Sequence, residues 1–167
     1  MTHRRVMIGG IRALVFVSTF TVCGHSSPPG GPTATAAAIE LSANPNPIVS
    51  RVCTACGAGS TDREAVTQLT IREVNGIAAT VTAIAMSLRD TAAGATIAAG
   101  EFDESAVASL AGSARLSASG TLTARDVGVH YATAQAGRAA TLTYTVRIRD
   151  DRGNITARDL AVPVPST

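Results

Sequence analysis

The sequence contains no Lys and no Trp, and aromatic residues make up only 3 % of its 167 positions. Charged residues are scarce as well, at 16 %, with a formal net charge of +2. Each shortage excludes something. So few charges exclude a highly charged disordered tail. A surplus of two positive charges, all basic residues being Arg, is too small a footprint for a nucleic-acid binder. The shortage of aromatic rings removes the platforms that a sugar site would use. No collagen repeat, sustained heptad or series of membrane-length apolar runs is present. What remains is an Ala- and Thr-rich chain long enough for one ordinary domain and short for two.

Residues 1–22 read as an export signal. Arg4, Arg5 and Arg12 supply a basic start, and the apolar run from Ala13 to Val22 is too short to span a bilayer. Cys23 closes that run. Residues 23–36 form a tether in which Ser, Gly and Pro alternate and little can bury apolar area. A cysteine placed between an apolar run and such a tether resembles the bacterial lipoproteins, in which that cysteine takes the lipid. Phe20 and Val22 stand where that family carries Leu and a small residue. Val22 and Gly24 equally suit an ordinary signal peptidase cutting after Gly24 and leaving His25 first. Both routes export the chain. The first implies a lipid anchor at Cys23, with the domain held to the envelope membrane.

From Ala37 to Val164 the pattern is that of an all-β sandwich. Leu142, Tyr144, Val146 and Ile148 alternate with Thr and Arg, so one strand face is buried and the other wet. Asp150-Asp151-Arg152-Gly153-Asn154 reads as a turn leading to a last strand with Leu160, Val162 and Val164 in phase. Pro163 on its other face predicts an edge position. Leu69 and Ile71 mark another strand, ended by the turn signal Asn75-Gly76. Ile77, Ala79 and Val81 occupy one phase of the next strand, whereas Ile84, Met86 and Leu88 occupy the other, which predicts a bulge near Thr82-Ala83. Asn44-Pro45-Asn46-Pro47 predicts a kinked edge strand open to pairing near Asn44–Val49. Thr96–Ala98 is a candidate short edge strand, with a hairpin glycine expected at Gly100, and Asp103-Glu104-Ser105 could begin one helical turn. Val127–Tyr131 is a further strand.

About seven strands at this spacing resemble a single immunoglobulin-like, fibronectin-III-like antiparallel β-sandwich. The resemblance covers the whole segment 37–164. It is one of fold: the Trp and the inter-sheet Cys pair of antibody domains are absent. In exported bacterial proteins such domains serve as adhesion, spacer or ligand-binding modules, so the resemblance implies a binding or structural role. A core built largely from Ala predicts modest stability, since each Ala buries little area.

Cys53-Thr54-Ala55-Cys56 lies in the connection after the first strand. In an oxidising compartment the pair is expected to form a local disulfide. A redox pair would need a helix N-terminus to lower the first thiol. A four-ligand metal site would need partners beyond the two cysteines, and the sequence offers no second pair, so no metal and no cofactor are expected. A thiol-redox or metal-handling protein using Cys53 and Cys56 is the alternative function.

Catalytic signatures are missing. His130 is the one His of the predicted domain, and next to Tyr131 it reads as structural. No Gly-x-Ser-x-Gly elbow occurs; Gly112-Ser113-Ala114-Arg115 does not complete one. Glu101, Asp103 and Glu104 are placed in one loop, and Asp150 and Asp151 in another, as solvated turn acids without calcium-loop spacing. The expected function is therefore non-enzymatic, with no nucleic-acid partner and no small-molecule substrate. A protein partner in the envelope would meet the loops Arg51–Arg63, Glu101–Glu104 and Asp150–Asn154. Without residues 1–22 the chain keeps 11 Arg against 12 acidic residues, so its weak basic balance belongs to the export signal.

Overall fold

A computed structural model describes residues 34–54, 56 and 61–166. The expected export signal, Cys23 and most of the expected tether lie outside the described residues. Nine strands form two antiparallel sheets. They are β1 (Ile39–Asn44), β2 (Arg51–Val52), β3 (Arg63–Glu73), β4 (Ala79–Asp90), β5 (Thr96–Asp103), β6 (Arg115–Leu116), β7 (Thr121–Tyr131), β8 (Ala140–Asp150) and β9 (Ile155–Val164). Seven are long, and β2 and β6 have two residues each. In the first sheet β1 and β2 lie end to end along one edge of β3, and β7 lies along the other. In the second, β5 and β6 share one edge of β4, whose other edge pairs β8, followed by β9. The chain passes from β3 to the second sheet for β4 and β5, returns for β7, and ends on β8 and β9. That is the Greek-key order of an immunoglobulin-like sandwich in which the strand after β4 stays beside it.

Side-chain alternation drives the packing. In β8, Leu142, Tyr144, Val146 and Ile148 are all fully buried. They face Leu69, Ile71, Leu122 and Val127 of the first sheet within one core cluster. Tyr144 carries the largest fully buried side chain. Its hydroxyl donates across the sheets to the Val127 carbonyl at 3.1 Å, and burial pushes its pKa upward.

The phase flip in β4 is a bulge. Register with β8 shifts between Val81 and Ala83, and the extra residue, Thr82, donates its hydroxyl to the Arg147 carbonyl at 3.2 Å. A second bulge sits between β3 and β7, where Arg125 and Asp126 oppose Gln68 alone and Asp126 takes a left-handed φ of 53°. Close by, Gly128 lies so near the β3 backbone that a Cβ would fall within 2.7 Å of the Val66 Cα.

Asn75-Gly76 turns as expected, with Gly76 at φ 73°, and carries the chain from one sheet to the other. Several expectations are corrected. Thr96–Ala98 extends into the eight-residue β5, so Glu101 and Gly100 are strand residues and not loop or hairpin positions. A helix, α1 (Glu104–Ala111), follows directly. Asp103 caps it by accepting from the Ala106 amide at 2.9 Å, Gly112 ends it at φ 79°, and Val107 is buried. The segment near Asn44–Val49 is not open to pairing along its length. Pro45 and Pro47 have no N–H, Ile48 is fully buried, and the Ile48 amide donates to the Pro163 carbonyl at 2.9 Å. Ala34–Ala36, expected in the tether, are tied to the domain: Arg152 donates to the Ala34 carbonyl, Asn154 to that of Thr35 and Asn75 to that of Ala36.

One device recurs at the strand ends. Glu73, Asp90 and Asp150 each continue a buried side-chain row into the turn that follows. Each then accepts from amides of its own turn: Glu73 from Asn75 and Gly76, Asp90 from Ala92 and Ala93, Asp150 from Arg152 and Asn154. In all three turns the glycine, Gly76, Gly94 or Gly153, has positive φ. The reading of Asp150 as a solvated turn acid is thereby overturned, because its carboxylate is needed to satisfy the turn's amides.

Candidate functional site

The first sheet builds a polar corner on its outer face. Register sets Arg51 of β2 opposite Glu64 of β3, and Glu64 opposite His130 of β7. Side chains directly across a sheet share a face, so these three make one row. Two residues beyond Arg51, on the same phase, comes Cys53. The Cys53 amide donates to the Asp62 carbonyl at 2.9 Å, which ties the start of the cysteine turn to the residue before β3. Cys53 and Cys56 are at disulfide distance, their Cα atoms 5.5 Å apart.

The row ends in close contacts. Glu64 is 16 % exposed, and its Oε1 accepts from Arg51 Nε. Its Oε2 lies 3.6 Å from His130 Nε2, and the histidine is half exposed. One donor atom from each of Cys53, Cys56, Glu64 and His130 falls within 4.8 Å of all the others. The sequence placed the cysteines together but gave no sign that Glu64 and His130 join them, because the meeting depends on non-consecutive strands pairing.

The surrounding contacts hold this corner in shape. Asp62 accepts from the Thr133 hydroxyl and, at 2.7 Å, from its amide, and these bonds hold the Asp62 carboxyl below its ordinary value. At the end of β7 the buried Tyr131 donates its hydroxyl to Ser50. Between the edges of β5 and β7 runs an open groove of about 400 Å³, lined among others by Met86, Phe102, Glu101, Asp126 and His130.

The other expected interaction residues are dispersed. Arg51 is exposed, and Arg63 is half-buried at the start of β3. Glu101 lies on the β5 edge, while Asp103 and Glu104 serve the start of α1. Asp103 is held low first by the Ala106 amide and then by the Ser105 hydroxyl. At the opposite end of β3, Asp151 pairs with Arg115 and is held low by it. Asp150 is buried there, and its carboxyl is lowered to about 2, first by the Asn154 side chain and then by backbone amides including that of Ala37. Asn154 is committed to Asp150 and Thr35. The three expected loops therefore make no single surface, and of the three only Arg51–Arg63 contributes to the polar corner. Residues 55 and 57–60 of that loop lie outside the described residues.

No protein-family model matches the chain, and no curated protein does. Among solved structures it is similar to the X-ray structure of Northeast Structural Genomics Consortium target SoR45, with 11 % identity and a TM-score of 0.45. The likeness covers 77 % of this chain and 85 % of that one.

Proposed function

We propose that the chain is an exported, lipid-anchored β-sandwich that serves as a binding or structural module of the cell envelope and performs no catalysis of its own. One observation carries the reading. The buried acids Glu73, Asp90 and Asp150, which in an enzyme would be the first candidates for proton transfer, are spent on the amides of turns. Such clamps fix loops in place, as a scaffold that presents a surface requires. The signal-like residues 1–22, Cys23 and the tether supply the export and anchoring parts of the proposal.

Mass spectrometry of the native N-terminus tests the anchor. A lipid-modified Cys23, with partition into a detergent phase that Cys23→Ala abolishes, is the expected result. A soluble chain beginning at His25 would remove the anchor from the proposal. A hydrolytic or redox activity lost on replacing His130 or Cys53 would overturn the non-catalytic reading.

A further inference from the structure

We propose that the outer corner of the first sheet is a redox-gated metal site. In it Cys53, Cys56, Glu64 and His130 bind one divalent cation of the zinc class once the cysteine pair is reduced. The argument begins with donor chemistry. Two thiolates, an imidazole and a carboxylate are zinc ligands, and a C-x2-C turn is a usual way to offer the thiolates. The structure then supplies the second half of the set. Glu64 and His130 face each other across β3 and β7, on the phase that Cys53 continues from Arg51.

The distances fit. A tetrahedral zinc centre sets its N and O ligands about 3.3 Å apart and its two sulfurs about 3.8 Å apart, given zinc bonds of about 2.0–2.3 Å. His130 Nε2 and Glu64 Oε2 already stand 3.6 Å apart, and all four donor atoms lie within 4.8 Å of one another. Reduction frees the two sulfurs to part to the tetrahedral spacing by side-chain rotation, and no other pair of donor atoms is more than 4.8 Å apart. Glu64 offers Oε2 alone, because Arg51 holds Oε1. That contact orients the carboxylate as outer partners of metal ligands do. It also suits the charge: two thiolates and a carboxylate exceed a divalent cation by one negative charge, which the Arg51 guanidinium offsets.

The gate is the sulfur pair. Joined in a disulfide, the sulfurs are not thiolates and bind the cation weakly. A dithiol reductant opens the pair: one of its thiolates attacks a protein sulfur, and the mixed disulfide is resolved by its second thiolate. Two electrons pass to Cys53 and Cys56, and the reductant leaves as its own disulfide. The two thiols formed lose their protons to water as the cation binds.

Cobalt(II) is a suitable probe, because thiolate coordination in a tetrahedral site gives it a near-ultraviolet charge-transfer band and strong visible bands. The full chain carrying Cys23→Ser, reduced with a phosphine and handled without oxygen, is titrated with cobalt and then with zinc. One cobalt per chain is expected, displaced by zinc, whereas the oxidised chain shows no band. Cys53→Ser and Cys56→Ser should each abolish the band. His130→Ala and Glu64→Gln should weaken affinity by at least about 10-fold, and Arg51→Met by about 10-fold, the lower end for an outer partner. Circular dichroism checks that each variant folds. Should a variant fail to fold, diethyl pyrocarbonate modification of His130, blocked by zinc only in the reduced parent chain, gives the same answer. A reduced chain without the charge-transfer band, or folded His130 and Glu64 variants that bind as tightly as the parent, would overturn the site.

Discussion

Replacing Glu73 tests whether the turn clamps hold the sandwich together. The side chain is 1 % exposed. Its Oε1 accepts from the Asn75 amide at 2.8 Å, and its Oε2 from those of Gly76 at 2.7 Å and Ser119 at 2.8 Å. The first two belong to the turn between sheets, and the third to the approach to β7, so one carboxylate ties two connections together. Hydrogen bonds to a charged group contribute about 1.5–3 kcal/mol each, and such values do not add fully. Glu73→Ala is therefore expected to cost about 3–5 kcal/mol, because it leaves three amides without their acceptor. At about 3–5 °C per kcal/mol for a domain of this size, the Tm should fall by about 10–20 °C. Glu73→Gln keeps one acceptor oxygen but turns an NH2 toward at least one amide donor, so about 2–3 kcal/mol is expected.

Acidity sharpens that test. Burial pushes the Glu73 carboxyl up, but the amides of Ser119, Asn75, Ile77 and Gly76 more than reverse this, and its pKa lies below the ordinary 4.5. Its contribution to stability is then fully present above 4.5 and is lost as pH falls through the depressed folded value. The stability gap between the parent chain and Glu73→Gln should be constant near neutrality and shrink in acid. Urea unfolding followed by tyrosine fluorescence and circular dichroism measures it, the chain having no Trp. A loss below about 1 kcal/mol for Glu73→Ala, together with a gap that ignores pH, would refute the clamp.

The remaining predictions concern other links in the fold. Tyr144→Phe deletes the buried hydroxyl bond to the Val127 carbonyl, so chemical unfolding should show a loss of about 1–2 kcal/mol with an unchanged m-value. Asp150→Asn should flatten the acid limb of the stability curve. The parent carboxyl contributes fully above its ordinary 3.8 and loses that contribution as pH falls toward about 2. Reducing Cys53–Cys56 without metal should cost no more than about 2 kcal/mol, the value for so short a loop, as scanned by urea with and without a phosphine. Gly128→Ala places a methyl against the Ala65–Val66 backbone; a loss of about 1–3 kcal/mol, or amide exchange spreading along β3 and β7, is expected.

Periodicity made much of this architecture legible. Leu142–Ile148 and the opposed phases either side of Thr82 are signals carried by neighbouring residues, and strand, edge and bulge all followed from them. Asp150 was misread because a carboxylate beside Gly and Asn ordinarily faces water, and Glu73 and Asp90 drew no reading as acids. The clue was phase: Glu73 follows Leu69 and Ile71, Asp90 follows Met86 and Leu88, and Asp150 follows Val146 and Ile148 on the inward side. The polar corner was out of reach for another reason. Glu64 and His130 are 66 positions apart, and only the register of β3 with β7 makes them neighbours. Sequence alternation fixes which face a side chain takes, but not which distant strand lies alongside it.

The hydrogen bonds that seize residues 34–37 give the domain a handle end and a far end. Asp150, Arg152, Asn154 and Asn75 grip that segment beside the close of β3, while Cys53, Glu64 and His130 cluster beside its start. Nine residues of extended chain separate Glu64 from Glu73, about 30 Å at 3.3 Å per residue. The gripped segment 34–37 therefore lies at the other end of β3 from the cysteine corner.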